Sequence, residues 1–182
     1  MKRKIAGICL LAVFCVFIFH AGNLYASGGG VLYAKAIKAI KEKQYDYAFM
    51  QFRAIVRDYP GTKYTQRAMF GTGEYFYNSN MHYEAIEAFS DYIRRYPDSD
   101  AGIFARAYLL NIAETIARPT EEDKAMVDGM KKEFFSKPVF LLFSEYKEFS
   151  YKSVFGNSFE IRYYLDIIEV YRNGQIFIKI AQ

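Results

Sequence analysis

The stretch HYEAIEAFSDYIRRYP, residues 82–97, decides the reading of the chain, because YDYAFMQFRAIVRDYP, residues 45–60, carries the same pattern thirty-seven positions earlier. Ala48, Phe52, Arg57, Tyr59 and Pro60 recur as Ala85, Phe89, Arg94, Tyr96 and Pro97, and Ile55-Val56 recurs as Tyr92-Ile93. Within each copy the buried-type residues fall at i, i+4, i+7, i+8 and i+11, which is one face of an α-helix. Pro60 and Pro97 end these helices, since proline disfavours helical geometry in the residue before it and donates no hydrogen bond to the preceding turn. A fixed period of this length marks a stack of supersecondary units that bury their faces against one another.

Working outward, each of these helices is preceded by another. The spacing predicts Val31 to Lys43 paired with Tyr45 to Tyr59, and Thr65 to Asn78 paired with His82 to Tyr96. Asp98-Ser99-Asp100 offers capping side chains for a helix from about Ala101 to Ala117, and Thr120 does so for one from Glu121 to Phe134. Small residues sit where paired helices approach: Ala48, Ala85, Gly71 and Gly73. A glycine inside a helix costs about 1 kcal/mol relative to alanine, so two in one helix point to a packing reason.

The string Gly73-Glu74-Tyr75-Phe76, then Tyr83-Glu84-Ala85-Ile86, Phe89, Tyr92-Ile93 and Tyr96-Pro97-Asp98-Ser99, resembles a tetratricopeptide repeat. More narrowly it is similar to the periplasmic repeats of BamD-like outer-membrane assembly proteins and of the YbgF (CpoB) accessory proteins. Tyr45-Asp46-Tyr47-Ala48, Phe52 and Asp58-Tyr59-Pro60-Gly61 form a second copy, so the resemblance spans residues 31 to about 117. It implies a mainly α fold, an antiparallel helix-pair solenoid of two full repeats plus extra helices over residues 31–135. Carried over residue by residue, the family's partner groove falls on Tyr33, Ile37, Arg67, Phe70, Glu74, Tyr77, Asn78 and Asn111. Two readings stand for these positions: a groove for a partner segment, or a face packed against the C-terminal part of the chain. The pattern fades after Arg118-Pro119-Thr120, and a short array needs its ends covered, so a cap is expected from the C-terminal segment.

From residue 136 onward the composition turns aromatic and β-branched. Asp166 to Tyr171 and Gln175 to Ile180 flank Asn173-Gly174, a strong short-range hairpin signal. Folding there sets Tyr171 opposite Ile176, Glu169 opposite Ile178 and Ile167 opposite Ile180. Val139 to Phe143, Phe149 to Val154 and Phe159 to Leu165 read as further strands, the first equally well as helix, with Gly156-Asn157 as a second turn. An isolated hairpin is marginal in water, so a small antiparallel sheet packed on the last helix is expected as the cap.

The start of the chain reads as an export signal. Lys2, Arg3 and Lys4 precede fifteen uncharged, mostly apolar residues, Ile5 to Phe19, and Leu24-Tyr25-Ala26 is a cleavage site. Removal of residues 1–26 leaves Gly28-Gly29-Gly30 as part of a flexible lead, residues 27–30, and leaves no cysteine. Ile8 and Phe14 precede Cys9 and Cys15, where acylation wants a small residue, so the membrane is reached only through an uncleaved signal or a partner. The remaining 21 basic and 20 acidic side chains nearly balance, which argues against nucleic acid as a partner. His82 alone cannot assemble a metal site, no phosphate-binding loop is present, and Glu84, Glu87, Glu121 and Glu122 read as solvated helix charges. Catalytic, cofactor and metal residues are accordingly not expected. The reading is an exported, non-catalytic envelope scaffold that binds another envelope protein or peptide segment. The alternative is a small hydrolase or sugar-binding accessory with a buried acid near Tyr151, Tyr163 or Tyr164.

Overall fold

Helix α1, residues 28–41, and helix α2, Tyr45–Asp58, form an antiparallel hairpin around Ala36, Ala39, Ala48, Phe52 and Ile55, all of them buried. The structure, a computed structural model, describes residues 28–115, 120–136, 148–164 and 166–181. The export segment and Val139–Phe143 lie outside those residues. The chain divides into two compact units, residues 1–65 and 66–182. The boundary expected at 135/136 falls inside the second, which holds helices and sheet together.

In the first unit α1 begins at residue 28, so Gly28, Gly29 and Gly30 form helix where a flexible lead was expected. The reason is close approach: a Cβ on Gly28 would lie 2.6 Å from the Tyr59 ring, and one on Gly30 would lie 3.0 Å from the Tyr64 hydroxyl. The unit closes on Thr65, whose hydroxyl donates to the Tyr59 carbonyl at 2.7 Å and accepts from the Thr62 N–H at 3.1 Å.

The second unit opens with the repeat of that hairpin, α3 (Thr65–Asn78) and α4 (His82–Arg95), and the period extends to the backbone. Lys43 and Asn80 both take left-handed φ, 59° and 58°. Gln44 N–H bonds to Ala39 C=O at 2.8 Å, and Met81 N–H bonds to Phe76 C=O at 2.9 Å. Each is the closing bond of a helix C-cap with a left-handed residue just past the helix. The second helices bury Ala48, Phe52 and Ile55 in one copy and Ala85, Phe89 and Tyr92 in the other. Gly73 confirms its packing reason, since a Cβ there would lie 2.7 Å from the Phe89 ring.

Helix α5, Gly102–Glu114, buries residues all round, from Gly102 and Phe104 through Tyr108, Leu109 and Leu110 to Ile112, as a helix enclosed on several sides must. It packs against α4, against α6 (Glu121–Ser136) and against the sheet. Its N-cap is Ala101, with no side-chain cap. Ser99, expected as a cap, accepts from the Ala101 N–H at 3.2 Å and otherwise joins Tyr92 and Gln66.

Four antiparallel strands complete the unit in the order β1 (Glu148–Lys152), β2 (Ser158–Tyr163), β3 (Ile167–Arg172) and β4 (Gln175–Ala181). The Asn173-Gly174 turn has φ of 54° and 77°, as a tight two-residue hairpin requires. Tyr171 does pair with Ile176, but beyond it the expected register is wrong by one. Val170 faces Ile178, Glu169 faces Lys179 and Ile168 faces Ile180, because a bulge lies between Val170 and Tyr171. The physical reason is the period-two side-chain pattern. With one extra residue, Phe177, in β4, Ile168, Val170, Ile178 and Ile180 all reach the buried face. Glu169 then lies on the other face with Lys179, 3.1 Å away.

Candidate functional site

The eight positions of the expected groove divide between the two units. In the first, Tyr33 and Ile37 of α1 are half-buried. The Tyr33 ring rests 5.2 Å from Tyr64 and 6.3 Å from Phe52, centroid to centroid, and Val31 beside it is 55% exposed.

In the second unit the same face is covered by the sheet. Phe70 is fully buried, with ring centroids 5.2 Å from Tyr151 and 6.4 Å from Phe159 on the sheet and 5.5 Å from both Phe89 and Tyr92. Tyr77 packs edge-on to Tyr108 at 4.7 Å and Phe177 at 5.9 Å, and its hydroxyl donates to Asn111 Oδ1 at 2.6 Å. Asn111 Nδ2 in turn donates to the Phe177 carbonyl at 3.1 Å. Asn78 is exposed and accepts from Arg172 Nη2 at 2.8 Å. The bulge explains this fit, because an inserted residue bends the strand and redirects a side chain. Here it sends Phe177 into the helices. Of the two readings open for these positions, packing against the C-terminal segment describes Phe70, Glu74, Tyr77 and Asn111.

Glu74 lies at the centre of that contact and has no exposed surface. Its Oε1 accepts from the Tyr108 hydroxyl and from Asn157 Nδ2, both at 3.0 Å, while Oε2 has no partner. Burial pushes its carboxyl above the usual range, against the opposing pull of the Asn157, Ser153 and Tyr108 hydrogen bonds and the Arg172 charge. The Tyr108 hydroxyl is pushed up strongly, by burial first and by the neighbouring Glu74 second. The Arg172 guanidinium sits 5.4–5.7 Å from the ring centres of Tyr77, Tyr108 and Phe177. Glu74 is thus a buried acid on α3 at the junction of helices and sheet, one turn from Phe70, whose ring meets Tyr151. It is not among the residues that line the cleft beside Tyr151.

Of the eight, Arg67 lines the cleft of about 620 Å³ formed with Gln66, Tyr92, Arg95, Tyr96, Asp98, Asp100 and Tyr151. Gln66 Nε2 donates to Ser99 Oγ at 2.5 Å and to the Tyr92 hydroxyl at 3.1 Å, fixing the floor. Asp98 and Asp100 are exposed, and Arg95 is held by Asp91 at 2.9 Å. Groups of three or more potential metal ligands are absent among the described residues. Sequence reasoning missed Tyr108, Asn157, Arg172 and Phe177. The aromatic richness of the C-terminal segment hinted at Phe177, and Asn157 was read only as part of a turn.

Two helix pairs with one backbone period, a further pair of helices and a covering sheet define a tetratricopeptide-type repeat protein whose own C-terminal segment packs on the repeat face. The family model YfiO, outer membrane lipoprotein, matches residues 28–132, more than half of the chain, and the chain belongs to this BamD-like family. Membership places it in the cell envelope. The sheet lies beyond the matched residues. No curated protein matches the chain.

Proposed function

We propose that the protein is a non-catalytic envelope scaffold that holds a segment of another envelope protein in outer-membrane assembly, and that it docks this segment on the first hairpin. The observation that supports this is the unequal burial of two repeat positions in the two copies. Phe70 and Glu74 are sealed under the sheet, while Tyr33 and Ile37, thirty-seven residues earlier, keep part of their surface in water. Repeat arrays of this kind commonly bind partner segments along their inner helices, and tyrosine is enriched at binding hot spots. The export segment is removed after Ala26. No helix among the described residues is long and apolar enough to cross a membrane.

The test is photo-crosslinking in the native envelope from a probe placed at Ile37 and, separately, at Phe70. A discrete adduct from position 37 and none from position 70 supports the reading. Adducts from neither, or from a control probe at Lys179 on the outer face of the sheet, overturn the docking assignment. The cleft beside Tyr151 favours one second reading, a sugar-binding accessory, because aromatic side chains, two arginines and two aspartates line one concave site. Titration with soluble glycan fragments, read by shifts of Tyr96 and Tyr151 resonances, decides it.

A further inference from the structure

We propose that Glu74 is a proton-operated latch: the neutral carboxyl holds the sheet on α3 and α5, and loss of its proton loosens that contact. Three elements converge on this one side chain. Glu74 comes from α3, Tyr108 from α5, and Ser153 and Asn157 from the turn between β1 and β2. The groups facing it have little left to neutralise a full charge. On α3, the Tyr77 hydroxyl is committed to Asn111. On α5, Tyr108 already donates to Oε1. The β1–β2 turn brings only the neutral Ser153 and Asn157. On β3, Arg172 directs Nη2 to Asn78 and lies over three aromatic rings, with its Nε also buried and unbonded. An anion here has only neutral donors beside it, Tyr108 and Asn157 on Oε1 with Ser153 near by, and its Oε2 lacks a hydrogen bond of normal geometry. Burial without a matched counter-charge favours the neutral acid, consistent with the upward displacement of its pKa. The latch governs access to Phe70 and Tyr77, the counterparts of Tyr33 and Ile40 in the first copy. It requires nothing of the docking reading above and stands or falls separately.

The sign comes from linkage. An acid whose folded pKa lies above its unfolded value of 4.5 stabilises the closed form most in acid. That advantage falls as pH rises from 4.5 to the folded value and is constant above it. Hydrogen exchange of the sheet and α5 amides, corrected for intrinsic rates, reads the opening constant between pH 4.5 and 8 in the unmutated chain and in Glu74→Gln. Their ratio is expected to rise by about tenfold per pH unit within that window and then level off, with Gln matching the acid form. A ratio that falls with pH makes Glu74 an ion-pair partner and ends the proposal, as does a flat ratio. If Glu74→Gln fails to fold, carbon-detected NMR titration of the Glu74 carboxyl in the unmutated chain decides instead: titration above 4.5 supports the latch, and titration below it refutes it.

Discussion

The first and second helical hairpins share a sequence period, a cap geometry and a buried alanine-phenylalanine ladder, yet they treat one face differently. In the second, position 70 is a phenylalanine enclosed by five aromatic rings, two of them from the sheet, and position 74 is a buried acid. In the first, the equivalent Tyr33 and Ile37 are half-buried and neither carries a charge. The repeat specifies how two helices meet. What lies on their inner face depends on residues far along the chain, here 151 to 177.

That contrast fails if the sealed position is worth no more than its open counterpart. Phe70→Ala removes a fully buried aromatic side chain from a rigid cluster and is expected to destabilise the second unit by about 3–5 kcal/mol. Tyr33→Ala removes a side chain that already meets water, and about 1–2 kcal/mol is expected from the smaller area lost. Hydrogen exchange of each hairpin in its own variant measures both. Equal losses would mean that the sheet adds nothing to the burial of Phe70.

A smaller effect tests the ladder itself. Ala36 and Gly73 are equivalent by the thirty-seven-residue period; Ala36 is buried, and Gly73 lies against Phe89. The Phe89 ring has little room to withdraw, because it stacks on Tyr108 with centroids 4.6 Å apart and an interplanar angle of 12°. Gly73→Ala therefore brings a methyl within 2.7 Å of that ring. Overpacking of this kind costs about 1–3 kcal/mol, against a gain of about 1 kcal/mol in helix propensity. A net loss of about 1–2 kcal/mol in denaturant unfolding is expected. A net gain would show that the ring moves freely and that glycine serves some other need.

How much of this was legible depends on which interactions are local. Helix α3 runs from Thr65 to Asn78 as its apolar spacing predicted, and the five-residue recurrence fixed both second helices to within a residue at their ends. The Asn173-Gly174 turn and its first pair, Tyr171 with Ile176, were readable because a two-residue turn sets its own register. The bulge was not readable, because the reason to insert Phe177 lies on α3 and α5, at Tyr77, Tyr108 and Asn111, about seventy to a hundred residues away in sequence. The groove positions on the first helices follow from the resemblance to the family, and nothing in the repeat pattern encodes what covers that face. Gly28 to Gly30 read as a flexible lead because glycine is permissive. Their helical state rests on the rings of Tyr59 and Tyr64 beside them.

The smallest expected effect separates the copies at their turns. Lys43 and Asn80 hold the same left-handed φ, 59° and 58°, and make equivalent bonds, Lys43 N–H to Ile40 C=O and Asn80 N–H to Tyr77 C=O, both at 3.0 Å. A lysine in that region carries the Cβ penalty in full, whereas asparagine tolerates it better through its short polar side chain. Glycine relieves the penalty but gives the unfolded chain more freedom. Lys43→Gly is thus expected to stabilise the first hairpin by about 0.5–1 kcal/mol, and Asn80→Gly to change the second by less than about 0.5 kcal/mol. Thermal unfolding of the two variants side by side checks the ordering. If Asn80→Gly gains as much as Lys43→Gly, the two turns are equally strained, and the copies differ only in what covers their inner faces.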